Sequence, residues 1–232
     1  MDIKSQAIPD MPVERFLLKD QAANYLRDLI VTGRIAQGSK ITERDVADLL
    51  HISRMPARDA LMELERLGLV VTRPGGRYVI KLDEKDIRRL SQLRMALEKL
   101  AVELASQNAT PAGIAACEAK LDEMRRAIAE GNTAQYSSSD LEMHEIIWQQ
   151  SDNPYLVEML NAMIGPIFMF IASQATISED WEESLRLHEQ LVTRISAKDG
   201  RAAVQSIEAH LQHSLELSLR TFKSVAGADG EP

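Results

Sequence analysis

Asp140 and His144 stand four residues apart, so on a helix both side chains point from one face toward a common spot. His188 and His210 flank residues 198–200, and their numbers average 199, the middle of that segment. If two antiparallel helices turn there, the two imidazoles stand opposite each other. One carboxylate and three imidazoles can then converge inside a helical bundle. That set suits a divalent ion, zinc first, with nickel, manganese or iron as alternatives. The competing reading is a polar cluster with no ion, because a helical histidine is commonly just hydrogen-bonded or at the surface. His213, one turn beyond His210, is a candidate for a supporting or purely structural role. Arg94 and Glu98 form another i, i+4 pair, readable as a structural salt bridge or as capture of an acidic ligand.

A second constellation lies near the N-terminus. Arg54 and Arg58 are also i and i+4, about 40° apart around a helix, and they border the stripe Ala57, Ala60, Leu61 and Leu64. Burying that stripe turns both guanidiniums outward from the helix start. Arginines so placed can bond guanine O6 and N7 in a major groove. Arg44 can reach phosphates from the preceding helix. The opposing reading is solvated charge paired with Asp59 or Glu65.

These residues need elements to position them. Residues 19–32 place Ala22, Leu26, Leu29 and Ile30 at helical spacing, with Gly33 able to end the helix. Thr42, with Asp45 three residues on, predicts a capping box opening a second helix, and His51-Ile52 a turn. Ser53 is expected to cap a third helix reaching about Leu67, with Pro56 tolerated in its first turn and Gly68 ending it. Residues 69–72 and 77–80 then alternate as strands around Arg73-Pro74-Gly75-Gly76, which predicts a β-hairpin with Arg73 and Arg77 flanking its tip. Three short helices followed by a hairpin describe a winged helix-turn-helix.

From Asp83 onward only helical periodicity remains. Leu90, Leu93, Leu97, Leu100 and Leu104 predict an apolar seam along one long helix. Further helices are expected from Thr110-Pro111 to Gly131, from Thr133 to Gln150, and from Asn153-Pro154 with a bend at Gly165-Pro166. Ser178 should cap a fifth, and a sixth should run from Gly200 to about Phe222. The predicted fold is mainly α: an N-terminal winged helix-turn-helix and a C-terminal all-α antiparallel helical bundle. The expected divisions are an arm at 1–18, the winged domain at 19–81, the helical domain at 82–223 and a disordered tail at 224–232.

Composition excludes several classes. A chain of 232 residues, 45% hydrophobic, suits one or two globular domains. No unbroken apolar run reaches the roughly 20 residues needed to span a bilayer; residues 159–172 are interrupted by Gly165 and Pro166. The first ten residues show no basic stretch followed by an apolar one, so no signal peptide is expected. A single cysteine, Cys117, precludes an internal disulfide and fits a reducing cytoplasm. The net charge of −8 divides unevenly: residues 1–81 hold 13 Lys/Arg against 11 Asp/Glu, and residues 82–232 hold 14 against 24. Phosphate contacts belong to the first third.

The run Ile30-x-x-Gly33-x-Ile35-x-x-Gly38, Thr42-Glu43, Ser53-Arg54-Met55-Pro56-Ala57-Arg58-Asp59-Ala60-Leu61 and Leu64-Glu65-x-x-Gly68-Leu69-Val70 resembles the GntR family of transcription regulators. Ala57 and Asp59 replace the family's usual Val and Glu. The resemblance implies DNA contact by Arg44, Arg54, Arg58 and the glycine-bearing wing. With their neighbours Ser53, Met55, Gly75, Gly76 and Arg77, these make the expected DNA-binding set. Asp140, His144, His188 and His210 resemble the metal set of the FCD domain, the effector domain of the FadR subfamily, and six helices look like its VanR-type branch. That implies a divalent metal that helps bind a small organic acid, with Arg94 lining the cavity. It also implies a homodimer reading a short palindrome in double-stranded operator DNA, most simply as a repressor and not as an enzyme.

Two other functions fit the same residues. An ion with an open position could activate water in a metallohydrolase, although Glu145, adjacent to His144, lies about 100° around the helix and should point away. Alternatively, the ion itself could be the signal, as in a metal sensor.

Overall fold

The computed structural model describes residues 14–31, 34–172 and 180–228. The first domain comprises α1 (Glu14–Val31), β1 (Lys40–Ile41), α2 (Glu43–Leu50), α3 (Arg54–Arg66), β2 (Val70–Arg73) and β3 (Gly76–Val79). Helix α1 starts earlier than its apolar stripe, so residues 14–18 belong to it and not to an arm; the rest of the expected arm and Gly33 lie outside the described residues. The capping box forms: Thr42 N–H donates to Asp45 Oδ2 at 3.0 Å, and Asp45 N–H donates to Thr42 Oγ1 at 3.1 Å. His51, left-handed at φ 53°, closes α2. Ser53 occupies the N-cap of α3, but its side chain makes no capping hydrogen bond, contrary to expectation.

The predicted hairpin is the larger part of a three-stranded antiparallel sheet, ordered β1-β3-β2. Lys40 pairs with Tyr78 and Ile41 with Arg77, so the chain before α2 braces the wing. Arg73 pairs with Gly76, leaving Pro74-Gly75 as a two-residue turn in which Gly75 takes φ 99°. Helices and sheet close over a core of Leu26, Ile30, Val46, Leu61, Leu64 and Leu69, all essentially without solvent contact.

Among the described residues six helices follow: α4 (Glu84–Asn108), α5 (Pro111–Glu130), α6 (Thr133–Gln149), α7 (Pro154–Ala172), α8 (Asp180–Ser196) and α9 (Gly200–Ala228). Local chemistry sets their starts. Asp83 and Asp86 form a capping box for α4, Thr110 caps α5 ahead of Pro111, and Asn132 caps α6. Gly131, at φ 69°, ends α5. The α8–α9 turn passes through Lys198 at φ 57°. Helix α9 continues to Ala228, past the expected end at Phe222 and through part of the expected tail; Ser178 and residues 229–232 lie outside the described residues. Among the described residues, no helix is long and apolar enough to cross a membrane.

The leucine seam of α4 does not form as expected. Leu93 and Leu100 are 57% and 43% exposed, while the buried stripe holds Ile87, Arg94, Glu98, Ala101, Val102 and Ala105. Counting leucines selected the wrong face because the inward face is partly polar. Leu97 and Leu104 meet the cluster of Trp148, Leu156, Leu160 and Ile164 at the edge of α7. Helix α7 passes through Pro166 as one continuous helix, and Gly165 serves a contact between the domains. A Cβ there would lie 2.8 Å from the Leu67 carbonyl oxygen, just beyond α3.

Candidate functional site

The bundle brings the four predicted ligands together. Asp140 and His144 come from α6, His188 from α8 and His210 from α9; all are buried, and their donor atoms lie within 4.8 Å of one another. His188 and His210 face each other with ring centroids 3.9 Å apart. His144 Nε2 stands 3.3 Å from both His188 Nε2 and His210 Nε2. Asp140 Oδ1 is 2.9 Å from His188 Nε2 and 3.5 Å from His144 Nε2. Zinc–nitrogen bonds of about 2.0–2.1 Å, arranged tetrahedrally, put nitrogens about 3.3–3.4 Å apart, so this spacing fits an ion. Among the described residues, Asp140 Oδ1, His188 Nδ1 and His210 Nδ1 have no hydrogen-bond partner. Buried polar atoms left so are costly, and a cation at the centre would satisfy the carboxylate oxygen. Burial, reinforced by the charges of His188, His144 and Arg94, holds the pKa of His210 well below the usual imidazole value, which favours the neutral ligand form. Burial alone would raise the pKa of Asp140, but the charges of His188, His144 and Arg94 outweigh it and keep the carboxyl below its ordinary range.

His213 lies outside the cluster, half-buried and within electrostatic reach of Glu183. Glu145 also points elsewhere, into the groove between the domains near Arg27. Arg94 is at the site. Its Nε–H donates to Glu98 Oε1 at 2.5 Å, and its terminal Nη2 lies 3.3 Å from His144 Nε2. The two readings of this pair are therefore compatible: one edge of the guanidinium forms the salt bridge while a terminal nitrogen borders the cluster. Glu98 itself meets His144 Nδ1 at 2.7 Å. Sequence spacing links Glu98 to Arg94 but not to His144, which is 46 residues further along on another helix.

In the winged domain, Arg44, Ser53, Arg54, Met55, Arg58 and Gly75 are exposed, and Gly76 is half-buried. Arg44 sits beside Asp48 at 3.6 Å, both well exposed. Arg77 differs from expectation: its guanidinium is half-buried between Glu43 at 3.2 Å and Glu65 at 3.5 Å, so it braces α2 and α3 from the wing. The paired strand β1 instead brings Lys40 to the wing, its chain about 3.0 Å from where a Cβ on Gly76 would lie. Sequence reasoning missed this cation because a two-residue strand leaves no alternation to read.

Residues 18–80 match the model of the bacterial regulatory proteins of the gntR family, and residues 89–213 match that of the FCD domain. The chain belongs to the GntR family. It is a DNA-binding transcription regulator with an FCD domain following its winged helix. This GntR regulator is 29% identical to the HTH-type transcriptional regulator YdhC of Bacillus subtilis (strain 168), over 89% of its own length and 92% of the relative's. It is 27% identical to the HTH-type transcriptional repressor RspR of Escherichia coli (strain K12), over 93% of each chain. The solved structure of E. coli McbR/YncC shares its fold, with a TM-score of 0.76 and 22% identity over 88% of this chain and 98% of that one.

Proposed function

We propose that this GntR regulator is a cytoplasmic, homodimeric repressor whose grip on operator DNA is set by a small carboxylate bound on a divalent ion. The ion, zinc first and nickel, manganese or iron otherwise, is held by Asp140, His144, His188 and His210. The single observation carrying this reading is the convergence of three imidazole nitrogens and a carboxylate oxygen in a buried space. The charges there favour an acid as effector. Arg94 balances one of the two buried carboxylates, so the centre is net anionic when empty and net cationic once a dication binds. One carboxylate then neutralises it, and without the ion it would be repelled. Metal-bound carboxylate would lie beside Arg94, in line with a small cleft bordered by Ser91, Ser214 and Ser218. The repressor assignment draws on relatives such as RspR and the gluconate operon transcriptional repressor of Bacillus subtilis. A dimer is supported by exposed apolar side chains on adjoining helices: Leu93 and Leu100 on α4, Tyr155 and Met159 on α7. Arg44, Ser53, Arg54, Met55, Arg58 and the Gly75-Gly76 tip are assigned to the DNA, with Arg77 supporting the wing.

The test is operator binding, on a site selected from genomic fragments, by chelator-stripped protein, zinc-loaded protein, and zinc-loaded protein with a panel of small carboxylates. Carboxylates should change operator affinity only when zinc is present. Arg54→Ala and Arg58→Ala should each cost about 1–3 kcal/mol of binding with the fold intact. A response to zinc alone would make the protein a metal sensor, and turnover of a bound acid would make it a hydrolase. A chain that retains no metal would overturn the proposal.

A further inference from the structure

Glu98 is a fully buried carboxylate whose two oxygens serve different partners. Oε1 accepts from Arg94 Nε at 2.5 Å, and Oε2 lies 2.7 Å from His144 Nδ1. The buried Arg94 guanidinium, paired with Oε1, holds Glu98 as the carboxylate. An ionised carboxylate has no hydrogen to donate, so at 2.7 Å the hydrogen must sit on Nδ1. A neutral imidazole protonated there has a bare lone pair on Nε2, the atom that faces His188, His210 and Asp140. His188 Nδ1 and His210 Nδ1, by contrast, have no hydrogen-bond partner among the described residues.

We infer that Glu98 is the positioning residue of the metal centre, selecting the Nδ1–H tautomer of His144 and anchoring Arg94 beside it. This rests on the metal reading proposed above. Glu98 touches neither ion nor effector; it acts through two side chains that would. Of the three clustered imidazoles, His144 is the one this carboxylate orients, and its Nε2 stands 3.3 Å from the Nε2 of each of the others. Arg94 gains as well, since a guanidinium held along its Nε edge keeps Nη2 directed at the cluster. Outer carboxylates of this kind orient histidine ligands and raise their basicity.

Glu98→Gln keeps the shape and exposes the role. Arg94 can only donate, so it takes the new amide oxygen and leaves the amide NH2 facing His144 Nδ1. That nitrogen must then accept, which moves the imidazole hydrogen to Nε2, where the ion would bind. Zinc affinity, measured by competition with a chromophoric chelator, should fall about 10–100-fold. Long-range 15N NMR on metal-free protein should show His144 protonated at Nδ1 in the native chain and at Nε2 in the variant. A loss of packing alone would lower the melting temperature without moving that proton. The native chain needs no variant to be informative: finding His144 protonated at Nε2 overturns the inference, as does unchanged zinc affinity in Glu98→Gln. Failure of the native chain to take up zinc overturns the metal reading and this role of Glu98 with it, even if the tautomer is as expected.

Discussion

Every buried residue described between positions 18 and 80 is apolar, whereas the helical domain buries Arg94, Glu98, Asp140, His144, His188 and His210 at its centre. The winged domain closes on Leu26, Ile30, Leu61 and Leu64, so its stability comes from removing hydrocarbon from water and depends little on pH or on ions. The helical domain bears the desolvation of ionisable groups, a cost that stability alone does not justify. A core of that kind fits the proposal that this domain changes state with what it holds. The DNA-binding domain and the FCD domain are thus distinguished by the kind of interior each is built on.

The contrast can be broken most directly with metal. Zinc at about 1,000 times its dissociation constant should stabilise the helical domain by about 4 kcal/mol. His188→Ala should abolish that gain while leaving the winged domain folded and still bound to nonspecific DNA. Both tryptophans, Trp148 and Trp181, lie in the helical domain, so their fluorescence during thermal unfolding follows it selectively. An equal zinc shift in the variant would remove the cluster from the account.

Acid is the next lever. Because the folded pKa of His210 lies below the ordinary imidazole value of 6.5, the unfolded chain takes up that proton more readily. Stability should be full above about pH 6.5 and decline as pH falls below it. Glu98 and Asp140 act in a lower window: their folded values lie below 4.5 and 3.8, so their contribution is lost only at more acidic pH. Metal-free protein titrated from pH 7.5 to 5 should therefore lose tryptophan-monitored stability before the winged domain's amide hydrogen exchange accelerates. Simultaneous loss would show that the two interiors do not respond separately. The smallest effect separates two helix starts within the winged domain. Thr42→Ala, which removes a formed capping box, should cost about 1 kcal/mol, and Ser53→Ala, with no side-chain cap to lose, close to nothing in chemical denaturation.

What could be read from sequence was whatever is local or symmetric. Thr42 and Asp45 announce their box, Asp140 and His144 share a helix face, and His188 and His210 meet because they are equidistant from one turn. Contacts between distant segments left no such signature. Glu98 reaches His144 across the gap between α4 and α6, and Lys40–Ile41 became a strand only because β3 was there to pair with it. The α4 seam misled for a related reason: hydrophobic periodicity assumes an apolar inward face, and this helix turns Arg94 and Glu98 inward while Leu93 and Leu100 face out. Arg77 reads as a DNA contact because it flanks the wing tip in sequence, yet Glu43 and Glu65 hold its guanidinium.

At Gly165 the two domains meet backbone to backbone, with no room for even a methyl group between α7 and the Leu67 carbonyl. Joints cushioned by side chains absorb small displacements through rotamer changes, and this one has nothing to compress. A tilt of α7 must drag the end of α3 along with it or tear open a void. Because α7 also packs Leu160 and Ile164 against Trp148, one turn from His144, the same stretch of this rigid strut rests with one face on the polar core of the helical domain and with another on the end of α3.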